Sequence, residues 1–356
     1  MTKRDEIKKI WQECFSDPRE YVEMYFNRVY RDADGMVLNK DNHAVSSLLL
    51  QQYTMQFHGH DVPISYIAGA ATRRNARGKG YMSELMVNAL YASAQRGDML
   101  CTLIPAHDWL YYYYDRFGFS AVFLVDAQRF TAGHTFPITG QYKSREHFYE
   151  PDVIEAFQRL ERMRPCTVLH SERDFLNIID DLSMEPNGRM VVMAHPESGE
   201  ITSMAWAVVR DDIVLVTELL GKNDDARTAA LRELRKHYPD MPFKVLAPAS
   251  ENDDSHRKLY PHGMARLVNV KFCFDTIAAA HHDLDITIRV KDFLMPFNSH
   301  IYRISHGKCD INDTYTGRFD LDVDIEVLNK LIFSAPHIGI VTGLPSEHPH
   351  MALMLD

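Results

Sequence analysis

Six consecutive residues, Arg77, Gly78, Lys79, Gly80, Tyr81 and Met82, form a basic, glycine-containing loop between an apolar stretch and a helix-like repeat. The stretch before it, Val62–Thr72, carries Ala68, Gly69, Ala70 and Ala71 near its end, small residues that let a ligand approach the backbone closely. The stretch after it, Gly80 to about Gln95, places Met82, Leu85, Met86, Ala89 and Leu90 on one helical face. Unpaired N–H groups at a helix N-terminus, aided by the helix dipole, make an anion site. Arg73, Arg74, Arg77 and Lys79 fall within seven residues, with no acid among them. Strand, basic glycine loop and helix together suit a pyrophosphate. Taken alone, the same residues also describe a solvated basic loop with ordinary turn glycines. The loop lacks GxxxxGK followed by Ser or Thr, and it lacks GxGxxG, so it is neither a P-loop nor a dinucleotide fingerprint.

Four successive tyrosines, Tyr111–Tyr114, follow downstream. A tyrosine with an ordinary pKa of about 10 stays protonated at neutral pH and can donate a proton. The run also reads as helix-face packing with hydroxyls at the surface. Among the 18 histidines, His58/His60, His281/His282 and His348/His350 lie close in sequence, yet no HExxH or Cys/His pattern accompanies them. They read as turn or surface residues, and no metal is expected. Asp310, Asp313, Asp320, Asp322, Asp324 and Glu326 lack EF-hand spacing and read as a solvated edge.

The elements that must position the loop follow from periodicity. Ile7, Ile10, Trp11, Cys14 and Phe15 share one helical face. Asp17, Pro18 and Glu20 then read as cap, first turn and N3 of a second helix that buries Tyr21, Val22, Tyr25, Phe26 and Val29. Strands are expected at Met36–Leu38, Val45–Phe57 and Val62–Thr72, with a turn at His58–Asp61. After the 80–95 helix come a strand at Met99–Ile104, a short helix through the tyrosines, and a strand at Phe119–Val125. A similar β-β-β-α-β order recurs at Met190–Ala194, Ile201–Val209, Ile213–Leu219, about Ala226–His237 and Phe243–Ala247. Beyond Arg266, strands are expected at Ile286–Val290, His300–Ile304 and near Thr314–Leu321, with an amphipathic helix over Val323–Ser334. The fold class is therefore mixed α/β, with a small α+β unit at the end.

At 356 residues the chain exceeds one ordinary core. Hydrophobic residues at 46% and charged residues at 25% fit a globular protein. No apolar run reaches the roughly 20 residues that span a bilayer, and the N-terminus lacks a signal-like stretch, so a cytoplasmic protein without membrane partners is expected. Five scattered cysteines, none in CxxC, argue for reduced thiols. A net charge of −10 lowers the expectation of nucleic-acid binding and suits cationic substrates.

The loop from Arg77 to Met82 resembles the R/Q-x-x-G-x-G/A acyl-CoA loop of the GNAT acetyltransferase superfamily, with Met82 in place of the sixth small residue. Tyr113 to Phe119 is similar to the Y-x-R-F-G-Y/F signature of one branch, the enhanced intracellular survival (Eis-like) family, which tolerates a larger sixth residue. The resemblance covers essentially the whole chain. It implies two tandem GNAT folds, each a mixed central sheet flanked by helices, followed by a sterol-carrier-protein-like domain. The divisions would be 1–130, 131–265 and 266–356. It implies acetyl-CoA as co-substrate, bound by Arg77, Gly78, Lys79, Gly80, Tyr81 and Met82, with Ala70, Ala71 and Thr72 along the pantetheine arm and thioester. It implies Tyr114 as general acid and the main-chain carboxylate of Asp356 as general base. The acceptor would be a small-molecule or peptide amine, and the assembly a homo-oligomer, often a hexamer. The second copy, with Asp224 and Asp225 where phosphates would sit, is expected not to bind CoA. Two alternatives stand beside this reading: a non-catalytic acyl-CoA or small-ligand binder, and an aminoacyl-tRNA-dependent transferase, which the net charge opposes.

Overall fold

The structure, a computed structural model, describes residues 2–249 and 258–352. Its elements in chain order are α1 (Lys3–Cys14), α2 (Arg19–Met24), β1 (Gly35–Lys40), β2 (His43–Phe57), β3 (His60–Thr72), α3 (Tyr81–Arg96), β4 (Leu100–Leu103), α4 (Asp108–Asp115) and β5 (Ser120–Phe130). Next come β6 (Lys143–Arg145), α5 (Pro151–Glu161), β7 (Thr167–Leu169), α6 (Glu172–Met184), β8 (Arg189–Ala194), β9 (Ile201–Arg210), β10 (Ile213–Gly221), α7 (Asp224–His237) and β11 (Phe243–Pro248). The last are β12 (Leu259–Leu267), α8 (Val270–Ala280), β13 (Ile286–Lys291), β14 (Ile301–Ser305), β15 (Lys308–Ile311), β16 (Leu321–Asp324), α9 (Ile325–Ile332) and α10 (Pro336–Thr342). The fold is mixed α/β. No helix among the described residues is long and apolar enough to cross a membrane.

Two compact units result. The first joins the residues up to Phe123 with Pro261–Pro349; the second joins Leu124–Tyr260 with the chain from His350 onward. Residues 266–349 of the expected third division, 266–356, group with the first unit.

In the first unit the strand order is β1-β2-β3-β4-β12. β1, β2 and β3 form an antiparallel meander, β3 pairs parallel with β4, and β4 pairs antiparallel with β12. α3 follows β3 and returns the chain to β4, the crossover that a parallel pair requires. It buries Leu85, Met86, Ala89 and Leu90. α1 is capped by Thr2 and buries Ile7, Ile10 and Trp11. Asp17 does not cap α2. Pro18 holds that position without a side-chain bond, and the Asp17 carboxylate accepts from Trp11 Nε1 at 2.6 Å.

The same unit contains a smaller sheet, ordered β15-β14-β13-β16. The expected strand at 314–321 is a turn instead, and only Leu321–Asp324 is extended. Its polar groups bond locally: Thr314 Oγ1 donates to Asn312 Oδ1 at 2.9 Å, and Tyr315 N to the Asn312 carbonyl at 3.1 Å. Such local bonds give the backbone an alternative to a ladder.

The second unit has the strand order β5-β11-β10-β9-β8-β6, with the Val125–Phe130 half of β5 on β11. β8, β9 and β10 are antiparallel, α7 follows, and β11 lies parallel to β10. α5 and α6 supply Phe157, Leu160, Phe175 and Ile178 to a core shared with Trp206.

Candidate active site

β3 is built to be left open along part of one edge. Its parallel pairing with β4 covers only Ile64–Tyr66 against Leu100–Thr102. β3 then runs on to Thr72, whereas β4 ends at Leu103. On its other side β3 stays paired with β2, but the register slips: Leu49 faces Ala68 and Ser47 faces Ala71. The extra residue is a bulge, and it coincides with Gly69 at φ +57°. A side chain at Gly69 would collide with the Trp11 ring, so both the backbone angle and the close approach of α1 require glycine. Beyond Tyr66, Ala70, Ala71 and Thr72 thus lie on a stretch with no strand on the β4 side among the described residues. An extended arm can add there as a strand would.

The loop after β3 is braced from α1. Glu13 accepts from Arg73 Nη1 at 2.7 Å and from Arg74 N at 2.8 Å. Arg73 also donates to the Ala44 carbonyl, and Arg77 Nε donates to the Thr72 carbonyl at 3.2 Å. The four cations therefore divide: Arg73 is a structural brace, Arg77 holds the loop closed, and Arg74 and Lys79 have exposed side chains. Gly78 and Gly80 have φ +76° and +79°, and a Cβ at either would meet open space. Gly80 is the N-cap of α3 and offers no side-chain cap, so the first-turn amides of a 16-residue helix remain available. Glu84 in that turn is paired with Lys40 at 2.9 Å, which offsets its repulsion of an anion. These features fit a diphosphate-bearing cofactor: donors without a built-in acceptor, and room where side chains would stand.

Met82 and Tyr81 pack against the cluster of Leu85, Met86, Leu103 and Phe119. The larger sixth residue is accommodated because its side chain joins this core.

The tyrosines of α4 take different environments. Tyr112 is 78% exposed, while Tyr114 is 8% exposed and sits among Leu85, Met86, Leu103, Phe117 and Phe119. Tyr113 reaches Ser83 of α3 at 3.4 Å and lies under Arg116. Burial, and then the neighbouring Tyr113, push the Tyr114 hydroxyl up to about 12. The turn after it is fixed by residues far away in the chain. Arg266 Nε donates to the Phe117 carbonyl at 2.6 Å and Asn329 Nδ2 to the Gly118 carbonyl at 2.9 Å. Gly118 has φ +81°, and a Cβ there would approach Ile325 at 3.0 Å and Arg266 at 3.1 Å. Asp356, the expected base, lies outside the described residues.

The equivalent stretch of the second unit is filled. β10 pairs parallel with β11 only over Val214–Val216, slips register against β9 between Val216 and Glu218, and continues to Gly221. There Leu219 N donates to Glu218 Oε1 at 2.8 Å, and Arg164 donates to the Leu219 carbonyl at 3.0 Å. Asn223 caps α7, and Asp225 accepts from Thr139 N, Gly140 N and Tyr142 Oη, bonds that hold its carboxyl down at about 2. A cavity of 350 Å³ lies beside this stretch, lined in part by Leu160, Met163, Lys222 and Arg227. Among the histidines, His58 Nδ1 lies 3.1 Å from His281 Nε2. Among the described residues, no group of three or more His, Cys, Asp or Glu is arranged to hold a metal.

Residues 2–122 match the family described as the acetyltransferase (GNAT) domain. No curated protein matches the chain. A probable N-acyltransferase from Enterococcus faecalis superposes with a TM-score of 0.79 at 16% identity, covering 98% of this chain and 96% of that one. A GCN5-related N-acetyltransferase from Anabaena variabilis gives 0.76 at 15% identity, over 98% and 96%. Eis1 from Mycobacterium abscessus gives 0.73 at 15% identity, over 97% and 91%. At these identities the likeness is one of fold.

Proposed function

We propose that this chain is an N-acetyltransferase that moves an acetyl group from acetyl-CoA to a primary amine by direct attack in a ternary complex. The observation that carries the reading is the conjunction of an open β3 edge, an uncapped α3 N-terminus behind two positive-φ glycines, and a buried Tyr114 in one unit. The match of residues 2–122 to an acetyltransferase domain supports it. In this reading the division into two GNAT folds and a sterol-carrier-like part holds, in a cytoplasmic homo-oligomer.

Acetyl-CoA supplies a thioester whose carbonyl carbon accepts the amine. The residues of this chain do the rest. The amides of Gly78–Met82 hold the diphosphate, with Arg77 and Lys79 supplying positive charge. Backbone N–H groups of Ala70–Thr72 stabilise the oxyanion as the C–N bond forms. The main-chain carboxylate of Asp356 takes a proton from the incoming ammonium so that the amine can attack; as the C–S bond breaks, the Tyr114 hydroxyl donates its proton to sulfur and regains one from the nitrogen of the new amide.

The test is release of the CoA thiol from acetyl-CoA with spermidine, kanamycin or a peptide bearing a free N-terminus. Amine-dependent release by at least one of these is expected. Acetyl-CoA binding with no amine-dependent release from any of them contradicts the transferase reading and favours a binder.

A further inference from the structure

The turn behind Tyr114 is clamped from α9, within the first unit. Phe117 N donates to the Tyr114 carbonyl at 2.9 Å, and Gly118 N donates to the Asp115 carbonyl at 2.9 Å. The carbonyls of the same two residues accept from Arg266 and from Asn329. Asn329 is the fifth residue of the eight-residue α9 and is fully buried. Its amide group spans three main-chain groups. Nδ2 donates to the Gly118 carbonyl at 2.9 Å and to the Ala265 carbonyl at 3.4 Å, while Oδ1 accepts from Leu267 N at 3.1 Å. A second anchor lies one turn earlier in α9, where the Glu326 carbonyl accepts from Ser120 Oγ at 2.9 Å. The residue type is informative. On the buried face of α9, with Leu328 and Ile332, an aliphatic side chain would favour the helix more than asparagine does. A buried amide is tolerable only when its donors and acceptor are matched. Here the matching groups belong to the turn behind Tyr114 and to β12, so the amide ties the two together.

We infer that Asn329, with the Ser120–Glu326 bond as its second anchor, is a positioning residue for Tyr114: it holds the turn down, and so keeps the tyrosine seated with its hydroxyl at one depth. The ring itself is held by packing, with centroids 5.2 Å from Tyr113 and 6.0 Å from Phe119. Apolar packing is non-directional and lets a ring slide. A main-chain clamp does not. Misplacing a reacting group by about 1 Å can cost roughly 100-fold in rate. With the turn released, water reaches the hydroxyl, and the effect of burial, larger than that of Tyr113, is lost. The catalytic half of this inference rests on the proposed role of Tyr114 as general acid.

Asn329→Leu keeps the volume and removes the amide, and Ser120→Ala removes only the second anchor. Each is made alone and together with Tyr114→Phe. All are assayed for kcat with the amine that turns over fastest, for acetyl-CoA affinity and, with the tyrosine ring carbons labelled, for the titration of Tyr114 by NMR. Asn329→Leu is expected to lower kcat about 10–100-fold and to leave acetyl-CoA affinity within about twofold. In the Tyr114→Phe background the same substitution is expected to cost less than about twofold, because the two residues act as one unit. Ser120→Ala is expected to lower kcat about threefold, again only when Tyr114 is present, and it decides the matter if Asn329→Leu does not fold. The Tyr114 titration is expected to move from about 12 toward the ordinary tyrosine value of about 10, and the falling limb of the kcat profile with it. Equal losses of kcat in the two backgrounds, or an unmoved kcat in the folded variants, overturn the positioning role. An unmoved titration overturns the claim that the clamp keeps the hydroxyl buried. Near-wild-type kcat in Tyr114→Phe alone contradicts the acid role and the catalytic half with it, while the titration still decides whether Asn329 seats the tyrosine.

Discussion

Tyr114→Phe is expected to lower kcat by about 10²–10⁴-fold while leaving the dissociation constant for acetyl-CoA within twofold. The ring stays in its cluster with Phe117 and Phe119, so the substitution removes the proton and little else. The raised pKa makes a second expectation. An amine of pKa about 10.4 becomes nucleophilic only as it loses its proton, and a hydroxyl pushed up to about 12 remains a donor throughout that range. The wild-type rate should therefore rise with pH through the ionisation of the amine, with no falling limb from Tyr114 until near pH 12. Near-wild-type kcat in Tyr114→Phe would assign the proton to another group. A falling limb below pH 10 that Tyr114→Phe abolishes would contradict the effect of burial.

The largest expected loss of stability comes from Asp292→Ala. Asp292 and Arg266 form a buried ion pair at 2.7 Å, with side chains 1% and 0% exposed. The carboxylate also accepts from Leu294 N at 3.2 Å, Met295 N at 3.0 Å and Asn298 Nδ2 at 3.0 Å. Removing it strands a guanidinium that has no route to water, a change that typically costs about 3–5 kcal/mol. Urea unfolding monitored by tryptophan fluorescence measures it, provided the transition remains single. Arg266 also holds the Phe117 carbonyl, so the turn after Tyr114 loosens together with the loop at Asp292. A loss below about 1 kcal/mol would place the pair in the class of weak surface bridges, contrary to its burial.

Periodicity located α1, the β1–β3 meander, α3, β10 and α7 to within a few residues, because each presents one apolar face at a single period. The loop from Arg77 to Met82 was legible because glycines and cations without acids are a local pattern. What positions it was not. The bulge at Gly69 depends on Trp11 lying against it, and the parting of β3 from β4 depends on where pairing stops, neither of which has a local signature. Arg73 reads as a phosphate ligand in sequence, but Glu13, sixty residues away, has claimed it. The Asp292–Arg266 and Asn329–Gly118 bonds join segments far apart in the chain. The helices Pro151–Glu161, Glu172–Met184 and Val270–Ala280 carry local signals of their own: Ser171 with Asp174 forms a capping box, and Phe175, Ile178, Ile179 and Leu182 share a buried face.

The central claim, an acetyl-CoA site at the start of α3, is tested most directly by calorimetric titration of the untagged protein with acetyl-CoA. The titration is repeated on Arg77→Glu/Gly80→Glu and on Lys79→Glu, whose exposed side chain leaves the fold undisturbed. The account predicts saturable binding on the order of −7 to −8 kcal/mol for the wild type, weakening in Lys79→Glu and loss in the double variant. Absence of binding by the wild type, or undiminished binding by both variants, would contradict it.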